Sequence, residues 1–452
     1  MAVTDQNPEY GYWRSEWERC RAAAGGAKAV RALDNSLPAP FEESEPERYR
    51  IYRDRAYFMG VTGRTEDALI GMVFRKPADY EIPTQLNDLI EDFDGAGNSI
   101  EQCAKEALAG RLETSRHLLF VDYPEVDENL DRESEVNMRL RPVVALYEAE
   151  ALINWKFDAY NGKKRLILAV LREQVNKSDD EFSHDLRDQY RVLRMRDGVY
   201  TQQVYDFQMQ AVTEEFEPLA GGQRLDHIPL HGVRDLVEPP LLPVADVNIA
   251  HYRNVADLED AAFIVGQPTL HIDIGETSTD EFKEQNPDGV KLGSRLGIVT
   301  RKGSVEMAQA SENNLIRTIK QDKEQEMIML GAQIITRQGQ AETAEAVRMN
   351  SAAEASVLDR FVSDLSEDLE AALYDCALFM GLSDAEVKYQ LNTDFFESGL
   401  SPQALMAVIQ GVSSRIIAGE DALNMIRSGK LQIADGRTNE GILEDVANAL
   451  LD

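Results

Sequence analysis

The sequence predicts an α+β protein that is mainly helical, and three observations support this fold class. Apolar residues recur at steps of three and four along several long stretches, which is the spacing of one helix face. Between about residues 164 and 230, β-branched and aromatic residues instead alternate, as they do in strands. Hydrophobic residues make up 43% of the 452 residues, and the 29 glycines bring the apolar share close to that of ordinary globular proteins. A buried core is therefore feasible.

The first 150 residues read as helices joined by polar loops, with one strand. Trp13, Trp17 and Cys20 form a helical stripe, and the run at 48–58 reads as a basic helix face. Thr65 is predicted to cap a further helix that runs to Phe74. Residues 115–122 are almost continuously apolar before a proline, which predicts a strand buried on both faces.

An antiparallel sheet of three or more strands is predicted for residues 164–230. Asp197-Gly198 is the residue pair typical of a tight hairpin, and Gly221-Gly222 marks a second turn. Prolines at 239, 240 and 243 then interrupt the chain before a long amphipathic helix, with Asp246 as its predicted cap.

The rest of the chain alternates between helices and short strands. A compact insert carries predicted strands at 269–274 and 296–300, and a second long, polar helix starts near Ser311. The longest helix is predicted from about 342 to Met380, ended by Gly381, which is roughly 57 Å of rod at ~1.5 Å per residue. A helix of that length needs neighbours along its whole extent, so we expect other copies of the chain to supply them. A strand at 387–392 and three short helices after Ser401 complete the pattern.

Charge and cysteine content exclude several classes of protein. With 47 basic and 80 acidic residues, the net charge of −33 is incompatible with wrapping DNA phosphates by counterion release, and it opposes binding to an anionic membrane. The three cysteines are widely separated and predict neither disulfides nor a metal site. We find no secretory signal and no apolar run long enough to span a bilayer.

Reactive constellations are sparse, so the sequence predicts no enzyme, no cofactor and no metal. The phosphate-binding loop, dinucleotide-binding, zinc-protease and nucleophile-elbow motifs are absent. His227 and His231 are four residues apart, but the proline between them favours a loop or sheet edge over a metal site. His271 and Asp273 share a strand face, which is read as solvated, and acidic clusters such as 276–284 arise by chance in so acidic a chain.

Three segments together resemble the portal proteins of tailed bacteriophages. They are residues 53–77 (RDRAYFMGVTGRTEDALIGMVFRKP), 240–272 and 342–377, and the order of predicted elements agrees over nearly the whole chain. The sequence is most similar to a portal-like phage family long described only as proteins of unknown function.

This resemblance implies a portal fold with named regions around a long spine helix. Residues 1–243 would be the wing, 244–265 and 308–332 the stem helices, 266–307 the clip, 333–343 the channel loop, 344–400 the spine helix with a wing strand, and 401–452 the crown. Twelve copies would form a ring at one capsid vertex, at the head–tail junction of a virion assembled in the host cytoplasm.

The resemblance also implies a function and a set of partners. Double-stranded DNA would be packaged and ejected through the ring, which would dock the terminase motor, then the tail adaptor, and contact the major capsid or scaffolding protein. An acidic channel wall would keep the duplex mobile, with a few side chains making transient contacts. The candidates for those contacts are Lys320, Lys323, Thr336, Arg337, Gln338 and Gln340. The candidates for packing between copies are Leu358, Val362, Leu365, Leu369 and Leu373.

Two alternatives remain open at this point. Lys320 and Lys323 could instead serve ordinary pairing on the helix surface, for example Lys320 with Glu324. The chain could also be a head–tail connector or scaffold component that never contacts DNA or, with less support, a metal-dependent nuclease whose carboxylates are not recognisable.

Overall fold

A computed structural model of the chain shows the fold. It describes residues 2–39, 46–123, 141–160, 162–178, 180–265, 269–272, 278–285, 305–308, 314–335 and 356–395. The predicted second insert strand at 296–300, the loop 336–340 and the crown 401–452 lie outside these residues.

Six α-helices lie among the described residues of the first part of the chain. They are α1 (Pro8–Ala24), α2 (Ala27–Ala32), α3 (Pro46–Arg55), α4 (Val61–Val73), α5 (Asn87–Glu91) and α6 (Ile100–Thr114). Local chemistry sets two of the starts: the Asn7 side chain accepts a hydrogen bond from the Glu9 amide, and Ser99 forms a capping box with Gln102. The predicted cap at Thr65 is wrong, because α4 begins one turn earlier and the Thr65 hydroxyl donates to the Val61 carbonyl at 3.0 Å.

The strands of this half form two main antiparallel sheets and a short hairpin. The strands are β1 (Asp79–Glu81), β2 (His117–Asp122), β3 (Val143–Glu148), β4 (Leu152–Tyr160), β5 (Lys163–Asn176), β6 (Leu186–Arg196), β7 (Val199–Tyr205), β8 (Leu219–Ala220), β9 (Gln223–Arg224) and β10 (Leu230–His231). One sheet has the order β10-β2-β3 and the other the order β4-β5-β6-β7. The first five residues of β2 are buried, as its apolar sequence predicted.

Turn chemistry in this half was predicted correctly. Asp197 and Gly198 both have positive φ, 49° and 86°, and join β6 to β7 in a two-residue hairpin. Gly221 and Gly222, also at positive φ, join β8 to β9. Strand β4 was not predicted, although it pairs along its length with β5.

The described residues of the second half form four more α-helices and three short strands. They are α7 (Leu242–Val265), β11 (Thr269–Ile272), α8 (Thr279–Gln285), β12 (Val305–Ala308), α9 (Asn314–Ile335), α10 (Val357–Phe379) and β13 (Lys388–Gln390). Helix α7 begins at Leu242, so Asp246 is not its cap and instead pairs with Arg19 at 3.0 Å. Strand β11 pairs with β12.

Helix α10 is shorter than the sequence predicted. Ser356 has an extended backbone, with φ −66° and ψ 163°, and its side chain accepts a hydrogen bond from the Asp359 amide. This N-cap starts the helix at Val357, so its 23 residues span about 35 Å rather than the predicted length. Gly381 follows the helix with φ 76°, as expected for its C-terminal turn. Strand β13 then returns to pair with β1, more than three hundred residues earlier in the sequence.

One continuous hydrophobic core joins the first helices, the sheets and α10. The molecule therefore has the predicted α+β class, with helices occupying more of the described residues than strands. None of the helices in the described part is long and apolar enough to cross a membrane.

Candidate functional site: the paired helices and their anchor

Helices α7 and α9 pack side by side and form the candidate site. Lys323 of α9 donates to the Asn254 side-chain oxygen at 2.6 Å and, at 3.4 Å, to the Ala250 carbonyl. One turn away, the buried His251 ring contacts the Glu324 carboxylate at 3.3 Å. Two neighbouring residues of α9 thus bind side chains and backbone of one stretch of α7, which joins the two helices. We call them the helix pair.

The helix pair is fixed to the first half of the chain through α4. The Asn248 side-chain oxygen of α7 accepts hydrogen bonds from the Val61 and Thr62 amides, and its amide group donates to the Met59 carbonyl at 2.7 Å. Asn248 is fully buried and thus caps α4 from another helix. On α9, a Cβ atom at Gly331 would lie 3.3 Å from the Thr65 side chain, so glycine permits this close approach.

The predicted DNA-contact residues fall into two groups. Lys323 donates into α7, and burial lowers the pKa of its ammonium group. Lys320 pairs with Glu324 at 3.0 Å, the pairing that the sequence left open. The remaining candidates, Thr336, Arg337, Gln338 and Gln340, lie outside the described residues. The described lysines thus have partners within the helix pair, and contact with DNA stays a prediction.

The helix pair also leaves large apolar side chains exposed. Leu315, Ile328 and Met329 of α9 are each 63% exposed, and Phe263 of α7 is 41% exposed beneath the guanidinium of Arg55. Covering apolar surface of this kind with another protein is favourable, because it removes the surface from water. The helix pair therefore combines hydrogen-bonded polar side chains on its seam with apolar surface that the described chain does not cover.

Helix α10 is anchored by a buried network of charges. The Arg111 guanidinium of α6 is 3% exposed and donates to Asp368 at 2.5 Å, while Arg234 contacts the other Asp368 oxygen at 3.0 Å. Two arginines thus hold one carboxylate of α10. Sequence reasoning missed this network because its members are far apart in the chain and acidic residues are abundant.

A second carboxylate of α10 lies between the two histidines that the sequence singled out. Asp375 is 1% exposed, and its oxygens accept from His227 at 2.9 Å and His231 at 2.8 Å. The other His227 nitrogen meets Asp226 at 3.0 Å, so both ring nitrogens face carboxylates. These hydrogen bonds raise the pKa of His227 to about 9, against the opposing effect of burial, and lower the pKa of Asp375 to about 2.

These histidines therefore occupy the loop and sheet-edge position that the sequence favoured. No group of His, Cys, Asp and Glu among the described residues is arranged to hold a metal ion. His271 and Asp273 were the other residues that the sequence placed on one strand face. His271 lies in β11, whereas Asp273 is outside the described part. The described thiols of Cys20, Cys103 and Cys376 are all unpaired and buried.

The apolar stripe of α10 packs inside the chain. Its residues are completely shielded from solvent within one subunit; they are Leu358, Val362, Leu365, Leu369 and Leu373. Their neighbours come from α6, β2 and β10, which contact α10 in the core. Packing of this stripe between copies stays a prediction.

Comparison with known proteins adds the following similarities. The model of a family described as a domain of unknown function (DUF4055) matches residues 240–380, less than half of the chain. No curated protein matches the sequence. Among solved structures, the chain is similar to one from the virion of a native gene transfer agent (GTA) particle and one from the neck of an empty GTA particle computed with C6 symmetry. Each is 12% identical with a TM-score of 0.40, over 88% of this chain and 97% of that one.

Proposed function

We propose that the protein is a phage portal protein, a subunit of a ring at one capsid vertex through which double-stranded DNA is packaged and ejected. The observation that carries this proposal is the helix pair. Two long helices, joined through the insert that contains β11 and β12, carry apolar side chains that the described chain leaves exposed. Sister subunits in a closed ring would cover that surface, because each copy contacts two neighbours through different faces.

The charge of the chain suits such a channel. A wall rich in Lys and Arg would bind phosphates and release counterions, which would oppose movement of the duplex at each step. A net charge of −33, with Lys320 ion-paired to Glu324 and Lys323 hydrogen-bonded to neutral oxygens of α7, gives a wall of low affinity for DNA. In this proposal the chain has no active site, and a separate terminase ATPase supplies the energy.

Imaging of the purified protein by electron microscopy tests the ring directly. We expect closed rings with a central hole wide enough for a duplex, and a compact monomer or dimer would contradict the proposal. Met329→Asp should place a charge in the contact between copies and prevent ring formation, while the subunit keeps its circular dichroism spectrum. Phe182→Asp is the matched control, since Phe182 is 85% exposed in the loop between β5 and β6 and should leave rings intact.

A second candidate function is favoured by the lysine contacts. Because Lys320 and Lys323 both have partners within the helix pair, the same ring could be a head–tail connector that never touches DNA. Deletion of residues 336–340 separates the two candidates. Under the portal proposal, rings still assemble but particles retain less DNA. Particles that fill and retain DNA normally would instead favour the connector.

A further inference from the structure

A surface cavity lies between the loop after α2, helix α3 and helix α7. Its volume is about 440 Å³, within the ~300–1,000 Å³ of typical small-molecule sites. Residues 33–39 form one wall, while Arg31, Arg53, Tyr49 and Tyr252 contribute larger side chains.

The loop wall is held in place by donors from two helices. Arg253 of α7 donates to the carbonyls of Asn35 and Ser36, both at 3.0 Å. The Tyr49 hydroxyl of α3 donates to the Leu37 carbonyl at 2.7 Å. Asn35 itself adopts the left-handed conformation, with φ 56°. The cavity is therefore preformed, and three carbonyl oxygens that would repel an anion are already occupied.

Two arginines at the cavity have no carboxylate partner among the described residues. On α3, Arg50 pairs with Glu47 and Asp54, and Arg55 lies 3.9 Å from Asp260. Arg53 on the same helix has no ion pair in the described part of the chain. Arg31 makes one hydrogen bond, to the Ala56 carbonyl at 3.3 Å, and likewise has no ion pair among the described residues. The charges of Arg31 and Arg53 are thus not paired by any carboxylate that the structure describes.

A buried hydroxyl completes the set of donors. Tyr252 is 0% exposed, its ring packs edge-on against Phe58, and its hydroxyl has no hydrogen-bond partner in the structure as described. Buried hydroxyls normally have a partner. Because the Tyr252 side chain lines the cavity, a ligand bound there would be able to supply one.

We propose that this cavity binds the phosphate group of a small molecule. A phosphate offers three acceptor oxygens for two guanidinium forks and one hydroxyl, whereas a carboxylate offers only two. Asp34 is the carboxylate among the lining residues; it opposes a highly charged ligand and favours a single phosphate group over a polyphosphate. The ligand is either free inorganic phosphate or a nucleoside monophosphate, whose base could stack on a tyrosine ring. This site is independent of the proposed portal function.

Isothermal titration of the full-length protein tests the site, with inorganic phosphate, deoxyadenosine monophosphate, deoxyadenosine and acetate as separate probes at constant ionic strength. We expect phosphate to bind with a dissociation constant in the millimolar range or tighter, and deoxyadenosine and acetate to bind at least about tenfold more weakly. Tighter binding of the nucleotide than of phosphate identifies a nucleoside monophosphate as the ligand, and equal binding identifies free phosphate.

Three variants and one control assign the binding to this cavity. Arg53→Gln and Arg31→Gln should each weaken phosphate binding about tenfold, and Tyr252→Phe should weaken it several-fold. Arg50→Gln removes the same charge from α3, but Arg50 does not line the cavity and should leave the affinity unchanged. The proposal is overturned if the wild type fails to bind phosphate, if acetate binds equally well, or if Arg50→Gln weakens binding as much as Arg53→Gln.

Discussion

Helices α9 and α10 are similar in length but differ in how the chain covers them. Thirteen of the 23 residues of α10 are buried, including two aspartates that are held by arginines and histidines. On α9, of the residues whose burial is described, only Met327 and Ile334 are buried. A helix gains most of its stability from packing an apolar face. The subunit therefore completes the environment of α10 by itself, whereas it leaves apolar side chains of α9 exposed, which the proposed ring would cover.

The largest expected effect comes from the charge network that anchors α10. Asp368→Asn leaves the buried Arg111 guanidinium without its carboxylate, which should lower the free energy of unfolding by about 3–5 kcal/mol. Chemical denaturation of the subunit measures it.

Glu367→Gln is the control for this change, since Glu367 is the adjacent residue of α10 and also contacts Arg234, at 3.4 Å, but its side chain is 72% exposed. We expect a loss of at most about 1 kcal/mol there. Equal losses at the two positions would show that burial does not strengthen the network.

Identical leucine truncations on the two helices sharpen the comparison. Leu369→Ala on α10 removes a fully buried side chain and should cost the subunit about 2–5 kcal/mol, measured by denaturant unfolding. Leu315→Ala on α9 removes a side chain that is 63% exposed and should cost the subunit less than about 0.5 kcal/mol.

Leu315→Ala, which barely affects the stability of the subunit, should have its main effect on assembly of the ring. If rings form through the helix pair, Leu315→Ala raises the protein concentration needed for assembly, as sedimentation measures, without changing subunit stability. A loss of several kcal/mol in the Leu315→Ala monomer would mean that α9 is covered within one chain after all.

Local patterns predicted the elements that local chemistry controls. The Asp197-Gly198 hairpin, the buried strand β2 and the C-terminal end of α7 all follow from turn residues and periodicity. The stripe of α10 was also predicted, because its steps of three and four mark one face. Its start was not, since the Ser356 cap interrupts a pattern that continues upstream.

Features that depend on distant residues could not be read from the sequence. Helix α4 is capped by Asn248, about 187 residues away in the chain, so no local signal identifies its first residue. His227 and His231 were noticed as a pair, but their partner Asp375 is one of 80 acidic residues. Strand β13 pairs with β1, although more than three hundred residues separate the two strands in the sequence. Each depends on tertiary contacts that periodicity does not encode.

The smallest effect, a pH dependence, separates the histidine contacts of α10 from the rest of the molecule. The folded-state pKa of His227, about 9, lies above the ordinary histidine value of 6.5, so its stabilisation is complete below pH 6.5 and is lost as the pH rises through 9. The folded-state pKa of Asp375, about 2, lies below the ordinary 3.8, so its stabilisation is complete above pH 3.8 and is lost as the pH falls through 2. The groups that face this pair are Asp226 and His231.

Between pH 6.5 and 9 the His227 contribution should fall by about 1–2 kcal/mol, a value reduced for the 34% exposure of its side chain. Glu66 contributes a fall of the same sign, because burial and the nearby Glu113 raise its pKa to about 8. The difference between wild type and His227→Gln therefore isolates the histidine: the variant should be less stable at pH 6.5 and nearly equal to wild type above pH 9. His184→Gln, at an exposed position before β6, should follow the wild-type curve. A His227→Gln curve that runs parallel to wild type would show that the Asp375 contacts stabilise the fold without the imidazolium charge.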